Sequence, residues 1–330
     1  MDRNTIFTKV QKCLENVPVI LAGTGVTIPL GIPGMRDLSE HLISKLNNKF
    51  KSDITWNAIK EKLDVGTDLE NALTDIALTD VLVNDIVEET WKLIAEADRA
   101  VFVEYVLGKK SIVLSELINK YYQVHPQCVN IITTNYDRVI EYACDQKRIM
   151  YDTRYKGGYI RYLTTEKTGT SDVVNILKVH GSLDLFRDSS GLVCSVPGHL
   201  TTLPVGYLPE IISPGISKYK AVLTSSCRNI LHESDTIINN ARSFLCIGYG
   251  FNDEQIQTGI ISQIQTGKPI VVVTKTISNK AASLLVNNST NFVVIEENPG
   301  KVNSTRFTID TENHYLDGTF WTIEGFLRII

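Results

Sequence analysis

The stretch "VPVILAGTGVTIPLGIPGMR", residues 17–36, decides how the chain is read. It opens with an apolar, β-branched run whose two faces are both hydrophobic, the pattern of a buried strand in a parallel sheet. Gly23 and Gly25 follow directly, where such a strand has to turn. Glycine at that point lets backbone N–H groups come close to an anion such as a pyrophosphate, and a helix starting next would favour the negative charge. The run is a poor match to the dinucleotide fingerprint G-x-G-x-x-G. Its third position is Ile28, and no acidic residue closes a second strand about 20 residues on. Taken alone, the two glycines also read as a plain tight turn.

Five further runs repeat the buried-strand pattern: "VNIITT" (129–134), "VVNILKV" (173–179), "SFLCIG" (243–248), "PIVVVT" (269–274) and "NFVVIE" (291–296). Helical patterns separate several of them, such as "RVIEYACDQKR" after the first of the five and "SNKAASLLVN" after the fourth. This alternation predicts a doubly wound parallel sheet. Residues 38–126 break the rhythm: they are periodic, charged and helix-forming, with no strand among them, and are expected to form an all-helical insertion. Residues 183–228 are irregular, with a hairpin candidate at "RDSSG".

Composition narrows the function. The chain has 330 residues, 43% of them hydrophobic, which is ample for a packed core. The 33 basic and 37 acidic residues leave a net charge of −4 without any lysine or arginine run, so neither nucleic acid nor an anionic membrane surface is an expected partner. No apolar stretch reaches the roughly 20 residues that span a bilayer. The charged, amphipathic start "MDRNTIFTKVQKCLENV" lacks an apolar signal core, so the expected location is cytoplasmic. Six scattered cysteines form no C-x-x-C pair, which favours buried thiols over a zinc site.

The longer pattern from Gly23 to Arg36 is more specific than its first two glycines. Gly23-Thr24-Gly25-Val26-Thr27, then Gly31-Ile32-Pro33-Gly34-Met35-Arg36, resembles the sirtuin nucleotide motif G-A-G-x-S-x-x-x-G-I-P-D-F-R without a gap. Thr27 keeps the hydroxyl; Gly34 stands for aspartate and Met35 for phenylalanine. "TTNYD" (133–137) resembles the sirtuin T-Q-N-I-D segment, and "KVHGS" (178–182) the block with the active-site histidine. "CIGYGFNDEQI" (246–256) resembles the G-T-S-L-x-V loop in its bacterial sirtuin-like form G-Y-S-F-x-D. Each block falls at the carboxyl end of an expected strand, the edge where open α/β sheets bind ligands.

The resemblance implies an α/β, Rossmann-like doubly wound sheet with NAD as substrate, formed by residues 1–37 and 127–330 around the insertion. It implies cofactor-binding roles for Gly23, Thr24, Gly25, Thr27, Ile32, Pro33, Arg36, Thr134, Gly248, Gly250 and Asn252. Arg36 would face pyrophosphate or ribose, or else pair with Asp37 or a neighbour. Thr274 and Lys275 stand where the family often has an asparagine on the adenine ribose. Asn135 would hold a ribose hydroxyl or a water. His180 would act as general base toward a ribose hydroxyl or water. Asp137 would orient the ribose or Asn135, or cap the helix that follows it.

Deacylating sirtuins carry a zinc module with two C-x-x-C pairs after the histidine block; nothing of the kind is present here, so neither a zinc module nor a metal is expected. Bacterial sirtuin-like proteins with zinc-free, helically decorated domains are the nearer resemblance. They imply an NAD glycohydrolase of antiphage defence, working as a homo-oligomer or with a partner such as a HerA-type ATPase. A zinc-free deacylase or ADP-ribosyltransferase, and a non-catalytic NAD or ADP-ribose sensor, are the alternatives. The helical insertion would serve as lid or assembly surface.

Overall fold

Six parallel strands form where the six apolar runs predict them. In chain order the elements are α1 (Arg3–Cys13), β1 (Val19–Ala22), α2 (Met35–Leu46), α3 (Ile54–Asp64), α4 (Leu69–Leu73), α5 (Asp80–Val101) and α6 (Leu114–Tyr122). Then come β2 (Cys128–Thr133), α7 (Val139–Gln146), β3 (Tyr151–Asp152), β4 (Tyr155–Gly157), β5 (Arg161–Leu163), β6 (Val173–Lys178), β7 (Gly181–Arg187), β8 (Val193–Ser195) and β9 (Leu208–Ile211). The last part holds α8 (Ser225–Asn240), β10 (Phe244–Ile247), α9 (Glu254–Gln265), β11 (Ile270–Val273), α10 (Asn279–Asn288), β12 (Phe292–Glu297), β13 (Ser304–Ile309), β14 (Glu312–Asp317) and α11 (Ile323–Phe326). The computed structural model describes residues 1–74, 76–164, 171–213, 215 and 225–330.

The main sheet has the order β14-β13-β12-β11-β10-β1-β2-β6-β3. From β12 through β6 every neighbouring pair is parallel. The chain leaves β1 toward β2 and β6 on one side, then crosses to β10, β11 and β12 on the other. Strand order thus reverses beside β1, at the topological switch point where such sheets hold their ligands. Both faces are covered, as continuous apolar strands require. Ile20, Ile131, Leu245 and Val293 pack with Ile6, Val10, Leu117 and Ile140 on one face. Leu21, Leu177, Cys246 and Val272 pack with Ile238, Ile256, Ile260 and Leu284 on the other.

Every described element between β1 and β2 is helical, as the periodicity predicts. The stretch packs in two parts. Leu38, Leu42, Trp56, Ile59, Leu73 and Ile86 make a core of their own. The second half of α5 and all of α6 join the core of the sheet through Trp91, Ile94, Leu117 and Ile118. Trp91 also donates its indole N–H to the Leu183 carbonyl at 2.8 Å. A buried ion pair fixes the junction: Asp98 on α5, fully buried, accepts from Arg138 Nη2 at 2.6 Å and from the Tyr142 hydroxyl at 2.6 Å.

Two features were not anticipated. The five strands β4-β5-β8-β7-β9 form a second, antiparallel sheet, of which only the hairpin at "RDSSG" was expected. That hairpin joins β7 to β8, with Asp188 Oδ1 accepting from the N–H groups of Ser190 and Leu192. The main sheet also continues past β12 through an antiparallel hairpin, β13–β14. Its turn uses Asp310 and Thr311 at φ 48° and 78°, without the glycine that usually announces such a turn.

Candidate active site

The site is built from the carboxyl ends of four neighbouring strands. Asn135 follows β2 and is buried. Its Nδ2 donates to the Gly23 carbonyl at 3.1 Å and to Thr27 Oγ1 at 3.4 Å. Its N–H is taken by Thr133 Oγ1 at 3.1 Å, while its Oδ1 is buried and has no hydrogen-bond partner among the described residues. A buried amide oxygen without a donor costs about 1–3 kcal/mol. The atom is therefore suited to accept from a hydroxyl or water, the role expected of this residue.

His180 lies between β6 and β7, where the main sheet hands over to the small one. Its carbonyl accepts from the Ile212 N–H at 2.9 Å. Its Nε2 meets Asp253 Oδ2 at 2.5 Å. Asp253 comes from the loop after β10, three strands away, so that loop reaches roughly 14 Å across the ends of β1 and β2. Asp253 Oδ1 also accepts from the N–H groups of Gln255 and Ile256 at the start of α9. Burial works to raise its pKa, but the hydrogen bond and charge of His180 and the two N–H groups prevail and hold it below the usual carboxylate range.

Asp253 is the last residue of the G-Y-S-F-x-D pattern, to which no role was assigned; an aspartate before a helix also reads as an ordinary N-cap. It does cap α9, with one oxygen; the other holds the imidazole. Glu70, on α4 of the helical stretch, was overlooked as well, having no motif around it. Burial raises its pKa, Asp68 adds to that, and His180, which it faces electrostatically together with Asp253, opposes it.

Asp137 is buried at the start of α7. Its Oδ1 accepts from the Val139 N–H at 3.2 Å at the start of α7, close to the expected capping role. Burial pushes its pKa up to about 6 against the pull of Lys178.

Gly23 and Gly25 are required for a different reason from the one their position implies. The Gly23 N–H donates to the Ile247 carbonyl at 3.0 Å and the Gly25 N–H to the Gly248 carbonyl at 3.2 Å. These amides are therefore committed to the neighbouring strand end rather than offered to an anion. A Cβ on Gly23 would stand 2.3 Å from Gly248 O, and one on Gly25 2.6 Å from Gly248 Cα. What passes so close to this backbone is the backbone after β10. No α-helix starts directly after Gly25 either: two short 3-10 turns, Thr24–Val26 and Ile28–Leu30, come before α2.

Among the other expected cofactor contacts, Thr27 and Ile32 are buried beside this turn, while Thr24, Pro33 and Thr134 are half-buried. Gly248, Gly250 and Asn252 line a cleft of about 140 Å³ with Thr274, Thr276 and Ser278, at the ends of β10 and β11. Arg36 is not brought to the site. It is 90% exposed and pairs with Glu40 at 3.0 Å, one turn along α2, which is the neighbour pairing its sequence also allowed. Among the described residues no group of three histidine, cysteine or acidic side chains could hold a metal ion. No described helix is long and apolar enough to cross a membrane.

Residues 129–287 match the family model described as a SIR2-like domain. A SIR2-like domain thus spans residues 129–287, just under half of the chain. The match includes Asn135, His180 and Asp253, and begins after the glycine stretch. The chain is also similar to solved structures described as Sir2 bound to a p53 peptide and NAD+ and as Sir2Tm bound to a propionylated peptide. Each shares 12% identity, with 87% of this chain and 91% of the other covered, at TM-scores of 0.43 and 0.45. At these scores the overlap is loose, and the family match is what identifies the sirtuin-like domain. No curated protein matches the chain.

Proposed function

We propose that the sirtuin-like domain is an NAD glycohydrolase, cleaving NAD+ with water to nicotinamide, ADP-ribose and a proton. The observation that carries this is the His180–Asp253 pair at 2.5 Å, on the same sheet edge as a buried, partnerless Asn135 Oδ1. Nicotinamide departs as a neutral molecule with the glycosidic electron pair and leaves an oxocarbenium-like ribose. A water held by Asn135 attacks its anomeric carbon. His180 takes the water's proton, and Asp253 stabilises the imidazolium that forms. The cleft beside Gly248, Gly250 and Asn252 would take the adenosine half.

Purified protein incubated with NAD should release nicotinamide and ADP-ribose in equal amounts without any peptide. Product formation only with an acylated peptide, with transfer of the acyl group, would move the site to the deacylase class. In the cell this activity would deplete NAD, as in antiphage defence, and the helical stretch 38–126 would control access or assembly, through a homo-oligomer or a partner such as a HerA-type ATPase. Charge reversals on its surface should change assembly or activation without weakening NAD binding.

Asp253→Asn tests the dyad. Asparagine caps a helix as well as aspartate does, so α9 and the melting temperature should hold. The imidazolium loses its counter-charge and its orienting partner, and kcat should fall roughly 10- to 100-fold. An unchanged kcat would remove Asp253 from the mechanism.

A further inference from the structure

Lys178 stands at the carboxyl end of β6, two residues before His180, and is buried. Its Nζ donates to the Asp137 carbonyl at 2.5 Å, to Ser182 Oγ at 3.0 Å and, at 3.4 Å, to the Tyr136 carbonyl. Glu141 Oε1, 2.8 Å away, supplies the counter-charge. The two carbonyls belong to the residues directly after Asn135. The Tyr136 carbonyl also accepts from the Leu183 N–H at 3.0 Å, so the contact that depends on the lysine is the one to Asp137. On its other side Asn135 is held by Gly23 and Thr27. The loop that carries Asn135 is thus gripped between the turn after β1 and a cation on the strand that leads to His180.

Stability is a weak reason for a charge in this place. Taking an ammonium and a carboxylate out of water costs several kcal/mol per ion, and apolar residues of similar volume often replace such pairs without loss. An apolar side chain, however, cannot donate to a loop carbonyl. We propose that Lys178 is a positioning residue of the active site: its ammonium clamps the backbone after Asn135 and so sets the distance between Asn135 and His180. The proposal rests on the NAD-cleaving role of that pair. Because β6 carries both the clamp and the base, a shift of the strand end moves the two together.

The test is the double variant Lys178→Met/Glu141→Gln, which removes the lysine together with the carboxylate it pairs with, while Asp184 nearby keeps its bonds from Ser182 and Ser195, alongside Glu141→Gln alone and Lys178→Arg. Arginine keeps the charge but, longer and forked, cannot place its donors at the same point. In the double variant kcat for nicotinamide release should fall on the order of tenfold or more with KM changed less than twofold. Hydrogen exchange should quicken in residues 133–138 and stay as in the wild type elsewhere. Lys178→Arg should show the same kcat loss in a folded protein, and Glu141→Gln alone neither effect. Wild-type kcat in Lys178→Arg, or wild-type exchange of residues 133–138 in a folded double variant, would overturn the clamp. The exchange measurement decides this even if the wild-type protein releases no nicotinamide, a result that would count against the proposed function instead.

Discussion

Replacing His180 by alanine is expected to slow nicotinamide release by about 10²- to 10⁴-fold, or roughly 3 to 5 kcal/mol of barrier, in a protein that stays folded. The side chain is partly exposed, at 20%, and among the described residues its one hydrogen-bond partner is Asp253, so its removal leaves no cavity in either core. Asn135→Ala should cost a similar amount by loss of positioning. Its Nδ2 bonds to Gly23 and Thr27 are lost too, so its melting temperature should drop more than that of His180→Ala. Combining the two should cost less than the sum, because a base and an orienting amide acting on one water fail together. The measurement is nicotinamide release for each variant, with melting temperature as the control for folding. Wild-type rates in both folded single variants would place the chemistry elsewhere.

Gly25→Val is expected to destabilise the fold by about 3 kcal/mol or more, the upper end of what overpacking costs. A Cβ at position 25 would meet Gly248 Cα at 2.6 Å and Gly248 O at 3.3 Å. Both are backbone atoms and cannot swing aside as the tip of a side chain would. Gly248 has φ +54° and sits as close from its own side, with 2.4 Å between its built Cβ and Gly25 Cα, so relief requires β1 and β10 to part at their carboxyl ends. NAD binding would be lost as a consequence of that separation. Gly198→Ala, which meets nothing within 4 Å, should be close to neutral and serves as the control. Thermal unfolding with and without NAD separates the two explanations. A Gly25→Val protein with the wild-type melting temperature and no NAD affinity would mean that the glycine makes room for ligand after all.

The parallel sheet was legible because burial on both faces leaves a strong trace: six short apolar runs match six strands to within two residues at either end. The helical stretch was legible for the same reason, by its 3.6-residue period. The β13–β14 hairpin was not. Four of the six residues of β14 are exposed and none is buried, so "ENHYLD" carries little apolar alternation, and its turn residues, Asp310 and Thr311, announce no hairpin. The small sheet escaped because its strands are three to seven residues long and pair across loops whose length no local pattern encodes.

The sequence by itself determined which residues stand at strand ends: Asn135, His180 and the glycines at 23, 25 and 248 are fixed there by the runs that precede them. Which of them meet was decided by the tertiary structure. His180 and Asp253 are 73 positions apart, and only the reversal of strand order beside β1 folds the loop after β10 back over β2 to join them. Gly25 and Gly248 are neighbours through the same reversal, and the close approach that forbids a side chain there is between two backbones of one chain. Arg36 shows the opposite case: its motif places it near the nucleotide, but an exposed helix position one turn before Glu40 turns it outward. Local pattern assigns a residue to an element and an end of it; a contact between distant elements depends on strand order and loop path, which no window of neighbouring residues contains.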